Sequence, residues 1–131
     1  MEQVSDSGPV VASTAPLLDS ERLDAYRVAV RLDELVTSVA RRPGRGHAWL
    51  REQAEKASGS VVLNLAEAVG REGADRAQRL RISRGSALEV EAAMTLFAHR
   101  GLCPATARAE ARALVVRLVS MLTRLVATAL G

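Results

Sequence analysis

The sequence predicts an all-α protein, an antiparallel up-down four-helix bundle that oligomerises through its third and fourth helices. Three observations lead there. Apolar residues recur at alternating spacings of three and four along four separate stretches. Ala, Val and Leu supply the apolar mass, whereas Tyr26, Trp49 and Phe97 are the only aromatic residues, 2% of the chain, too few for sheet-rich folds. Glycine and proline cluster where each stretch stops. At 131 residues, 48% hydrophobic and 25% charged, the chain has the size and balance of one globular domain with its own core.

Residues 1–18 are rich in Ser, Gly and Pro and lack a helical period, which predicts a flexible N-terminal tail; residues 19–131 form the bundle. Asp19 or Ser20 is a fitting N-cap for the first helix, with Glu21 and Asp24 in its first turn. Its seam is Ala25, Val28, Leu32, Leu35 and Val39, and it stops at Arg41-Arg42-Pro43-Gly44. The second helix starts near Gly46 or His47 and presents Leu50, Ala54, Ala57, Val61, Asn64 and Ala68, with Gly70 and Gly73 at its end. The third carries Leu80, Ser83, Ala87, Val90, Met94 and Phe97 and stops at Gly101. Pro104 is placed as a first-turn proline of the fourth helix, whose seam is Ala111, Val115, Leu118, Leu122, Leu125 and Ala129. Short connections make up-down packing the simplest topology.

The third and fourth helices are apolar beyond one seam. Ile82, Gly85, Ser86, Ala93 and Leu96 form a second small or apolar set on the third helix. On the fourth, Arg117, Ser120, Arg124 and Thr128 fall on a narrow polar strip, leaving an apolar face wider than a four-helix core covers. Helices apolar on two sides are normally buried on two sides. This predicts a homo-oligomer with Ile82, Ser86, Ala93, Leu96, Leu118, Leu122 and Leu125 at the subunit interface; diluted surface polarity is the simpler alternative.

Asn64 lies on the second seam, with Glu67 and Arg71 further along near the same face. Across the loop, Arg84, Glu89 and Glu91 interrupt the otherwise apolar third helix, where Gly85 permits close approach. Such groups commonly fix helix register, because misaligned packing leaves them unpaired. A ligand site or a partner surface are the alternatives. Catalytic signatures are absent from the pattern: there is no nucleophile elbow, no phosphate-cradling glycine loop, and no Glu-x-x-His pair for a metal, since His47 and His99 follow no glutamate at that spacing. Neither enzyme activity, metal nor cofactor is expected. The lone Cys103 excludes an internal disulfide, and Trp49 fits a core or interface anchor better than a base-stacking platform.

The net charge is +3 with a pI near 10.0, and Lys56 is the one lysine among 18 basic residues. Arginine suits bidentate phosphate contacts, although an arginine-rich surface can also be merely solvated. In an up-down bundle the first and third connections share one end. That gathers Arg41, Arg42, Arg45, His47, Arg51, His99, Arg100 and Arg108 there, against Glu52, Glu55 and Glu110. Arg41, Arg42, Arg45, Arg51, Arg100 and Arg108 are the candidate nucleic-acid contacts. Arg117 and Arg124 interrupt the longest apolar run and the N-terminus lacks a basic-then-apolar leader, so a cytoplasmic protein without a membrane partner is expected.

Residues 57–71, ASGSVVLNLAEAVGR, resemble the A-x-S-I-x-x-N-I-A-E-G-x-G-R signature of the four-helix-bundle family of the 23S rRNA intervening-sequence proteins. Residues 83–89, SRGSALE, resemble that family's A-R-G-S-x-x-E on the next helix, and residues 23–29, LDAYRVA, are similar to its opening helix. Leu50 and Gln53 match the lead-in, and coverage runs from about Leu23 to Leu125. The resemblance implies a bundle assembling into a ring-like homopentamer without enzymatic activity, encoded within 23S rRNA genes. In a related branch it implies the accessory variability protein of diversity-generating retroelements, where a basic pentamer engages a reverse transcriptase and nucleic acid. Asn64, Glu67, Arg71, Arg84 and Glu89 fall on the family's polar motif positions. Ala68 stands where the family usually has Gly, Glu55-Lys56 replaces a more basic stretch, and the family's aromatics are thinned.

The expected function is therefore a non-enzymatic oligomer binding RNA, DNA or a nucleoprotein partner through arginine-rich ends. The alternative is an oligomeric protein-protein interaction scaffold that binds no nucleic acid.

Overall fold

The computed structural model describes residues 19–44 and 46–131; the predicted tail, and Arg45, lie outside the described residues. Four helices follow in order: α1 (Ser20–Ala40), α2 (Ala48–Ala68), α3 (Gly73–His99) and α4 (Ala105–Leu130), with no strand among the described residues. Each helix packs on its neighbours in sequence and α1 closes the ring on α4, as an up-down bundle requires.

Asp19 is the N-cap of α1, its carboxylate accepting from the Arg22 amide at 2.9 Å. Ala25, Val28, Leu32, Val36 and Val39 line the buried stripe, and Leu35 lies only half-buried beside it. On α2 the core residues are Leu50, Ala54, Ala57, Val61, Leu65 and Ala68. Leu65 takes the core place expected for Asn64, which sits half-buried at the edge facing α3. A leucine one step round the helix gains more from burial than an amide does, and the amide keeps its hydrogen bonds.

The predicted α3 seam of Leu80, Ser83, Ala87, Val90, Met94 and Phe97 is buried throughout. Ser83 sits in it because its hydroxyl donates to the Val61 carbonyl at 2.8 Å, so α2 and α3 approach closely with no orphaned polar atom there. Gly85 plays no such part: it is exposed, and a methyl group added to it meets nothing within 4 Å. The α3 helix ends in a paired turn, with Leu102 N–H bonded to the Phe97 carbonyl at 2.8 Å and Gly101 N–H to Ala98 at 3.1 Å. Gly101 there has φ +72°, a conformation that glycine adopts without steric cost. Pro104 proves to be the N-cap of α4, one place before its first turn, and its carbonyl accepts from Ala107 and Arg108.

On α4, Leu118, Leu122 and Leu125 are buried in the bundle, as is Ala93 on α3. These four were expected at a subunit interface, and the structure corrects this: their surface is already spent on the chain's own core. The apolar excess of the two helices lies elsewhere, at Ile82, Leu88 and Val116, which are 37%, 54% and 61% exposed. By length and composition α4 is apolar enough to cross a membrane, and a third of its apolar stretch is buried against the rest of the bundle.

Candidate nucleic-acid interface

The α1–α2 and α3–α4 connections meet at one end of the bundle. An Arg100 Nη1 atom lies 3.3 Å from His47 Nδ1, and the Arg100 guanidinium sits over the Trp49 ring, 5.3 Å from its centroid. His47 precedes α2 with φ +59°, the one described non-glycine residue in the left-handed region. Its neighbour Gly46 is also left-handed, so the connection turns sharply before α2 begins. Trp49 is 54% exposed and is not a core anchor: Leu50, the next residue, holds the inward position.

The candidate phosphate contacts divide by what else they do. Arg41 bonds the Glu55 carboxylate at 3.1 Å, and that bond together with the glutamate charge raises its already high pKa. Arg51 reaches back to the Gly44 carbonyl at 3.1 Å and pins the loop. Arg108 turns toward α3, donating to Thr95 at 3.1 Å with Glu91 at 3.6 Å, so it lies off the end of the bundle. Arg42 and Arg100 are exposed and carry no carboxylate partner among the described residues. Nearby, burial raises the Cys103 thiol pKa, opposed by the positive charges of Arg42 and Arg108.

The opposite end commits Arg71 and Arg76 to the fold. Arg71 bridges Glu67 at 2.8 Å and Asp75 at 3.0 Å across the α2–α3 connection. The Arg71 bond and charge hold the Glu67 carboxyl below its usual range, and the two carboxylates raise Arg71 in return. Arg76 donates to the last carbonyls of α2, Ala68 at 3.0 Å and Val69 at 3.4 Å, and so caps a helix C-terminus that has no basic residue of its own.

The five family-motif polar residues do not form one network. Asn64 donates to the Ser60 carbonyl and hydroxyl, both at 3.0 Å, and receives Arg79 at 3.5 Å. Ser60 in turn meets Ser86 of α3 at 2.8 Å, which places Ser86 at the α2–α3 junction inside the chain. Glu67 and Arg71 form the connection staple just described. Arg84 points the other way, to Thr123 of α4 at 3.2 Å, and Glu89 is exposed beside a shallow cleft with Gln53 and Lys56. Their common motif therefore spans two helix junctions and a loop. Among the described residues no three His, Cys, Asp or Glu side chains gather as a metal site requires.

The outer side of α3 and α4 holds a groove of about 320 Å³ lined by Leu88, Glu91, Arg112, Val115, Val116 and Val119. Arg112 bonds Glu91 at 3.1 Å on its wall. Leu96 is half-buried against the core and Ile82 lies exposed on the same helix. Leu88 and Val116, the most exposed apolar residues here, went unnoticed in the sequence. Each directly follows a buried position, Ala87 and Val115, but adjacent pairs such as Met121 and Leu122 are both buried, so no local signal marks the two as outward.

Among curated proteins, none matches the chain. The model of the family described as 23S rRNA-intervening sequence protein matches residues 21–124, nearly the whole bundle from the first turn of α1 to the last third of α4. With that match across four helices, the chain belongs to the 23S rRNA-intervening sequence protein family.

Proposed function

We propose that the chain is a non-enzymatic, homo-oligomeric four-helix bundle, pentameric as its family resemblance implies, that binds nucleic acid or a nucleoprotein partner through one arginine-rich end. The observation that carries this reading is the meeting of the two connections through Arg100 and His47. It groups the exposed Arg42 and Arg100 at one end, whereas Arg71 and Arg76 at the other end serve carboxylates and carbonyls of the fold. Repeated around an oligomer, such an end holds several phosphates with little sequence readout. Self-association draws support from Leu88 and Val116, whose outward apolar surface is worth several kcal/mol if a few hundred Å² are covered at ~25 cal/mol per Å². A reverse transcriptase, the protein partner implied by the retroelement branch, fits the nucleoprotein part of this reading.

Fluorescence anisotropy of labelled RNA and DNA, both structured and single-stranded, at low salt tests it. Binding should fall steeply with salt, and Arg42→Ala with Arg100→Ala should reduce the log–log salt slope by about 2, whereas Arg41→Ala, which also frees Glu55, should change it less. Absence of binding at low salt contradicts it. The second reading, an oligomeric protein scaffold, is favoured by the apolar groove between α3 and α4. Salt-insensitive capture of one protein in the absence of nucleic acid would select it.

A further inference from the structure

We propose that Trp49 and Arg100 form a stacking site for an unpaired nucleobase, so that the arginine-rich end takes single-stranded rather than duplex nucleic acid. This rests on the nucleic-acid reading above and names its substrate class. Trp49 is the chain's one tryptophan and stands 54% exposed in the first turn of α2, although Leu50 beside it is buried. The core therefore does not require an indole at this position.

What lies over it is a planar cation. Arg100 is held from two directions, by the ring at 5.3 Å and by His47 at 3.3 Å. Its backbone is set by the Gly101 turn, whose left-handed φ of +72° fixes where α3 stops. His47 reaches it from a left-handed conformation that non-glycine residues adopt sparingly, and such conformations concentrate at binding sites. The two side chains are thus already in contact before any ligand arrives, leaving the outer face of the pair for a base.

Indole and guanidinium both stack on the face of any base, so this site is tolerant of sequence. Paired bases hide their faces in the helical stack, and only an unpaired base can present one. Charge around the site agrees. Arg42 is exposed at the same end, Glu55 is already neutralised by Arg41, and Glu52 is the exposed acidic residue one turn along α2 from Trp49. Phosphates flanking a stacked base would meet Arg42 and Arg100 with one competing carboxylate.

The lone tryptophan makes the test direct. The full chain is titrated at low salt with a single-stranded oligothymidylate and, separately, with a blunt duplex of equal length, following intrinsic fluorescence and anisotropy of the labelled strands. Saturable quenching by the single strand with little by the duplex is expected. Trp49→Ala, a surface change whose fold is checked by circular dichroism, should weaken single-strand binding by roughly 5- to 150-fold. Trp49→Phe should recover part of it. Binding that leaves the fluorescence unchanged and survives Trp49→Ala overturns the stacking site but spares the phosphate reading. Equal quenching by duplex overturns it as well. No binding of either strand overturns both readings together.

Discussion

Ser83 of α3 donates its hydroxyl to the Val61 carbonyl of α2 across 2.8 Å, and both residues are fully buried. A small polar side chain thus sets the spacing of the two helices that carry the family motifs. Ser83→Ala should lower unfolding free energy by about 1 kcal/mol, the net worth of one internal hydrogen bond. Ser83→Leu should lower it by about 1–3 kcal/mol, because an overpacked seam forces the helices apart. Urea unfolding of both variants measures the difference.

Gly59 and Gly85 lie inside helices with no positive φ, and an added methyl group meets nothing within 4 Å at either. Each therefore lacks a conformational reason within the single chain. Gly59→Ala and Gly85→Ala should each raise stability by about 0.5–1 kcal/mol through helix propensity. Thermal unfolding at low protein concentration reads this effect separately from any contact between copies.

The Glu67–Arg71 bridge gives a pH dependence with a definite sign. Bonding to Arg71, then its charge, lowers the Glu67 pKa from 4.5. A carboxyl held lower in the native state contributes stability above its unfolded pKa and loses it as pH falls through the native one. Glu67→Gln should therefore melt slightly below the parent at neutral pH, with the two curves converging once pH falls well under 4.5. Both side chains are substantially exposed, so the gap is small and shrinks further in high salt.

The helices were legible because their signals are local. Apolar spacing, Asp19, Gly101 and the Pro43-Gly44 break each act within a few residues, and the structure places elements there. The interface residues were less legible because periodicity reports that a position is apolar, without reporting which of two neighbours claims it. Leu118, Leu122 and Leu125 went to the core and left Leu88 and Val116 outside. Asn64 misled for a related reason: its spacing fits the seam, but Leu65 competes for the same inward arc and gains more by burial. Pairings such as Arg100 with Trp49 or Arg76 with the end of α2 depend on how connections return, and no spacing within one helix encodes them.

Sedimentation velocity of the full chain at micromolar concentration shows directly whether further copies cover the outward apolar surface of α3 and α4. The full chain should sediment at a multiple of 14.0 kDa, and Val116→Arg with Leu88→Glu should convert it to monomer without loss of helix content. A parent chain sedimenting only at 14.0 kDa would contradict such assembly.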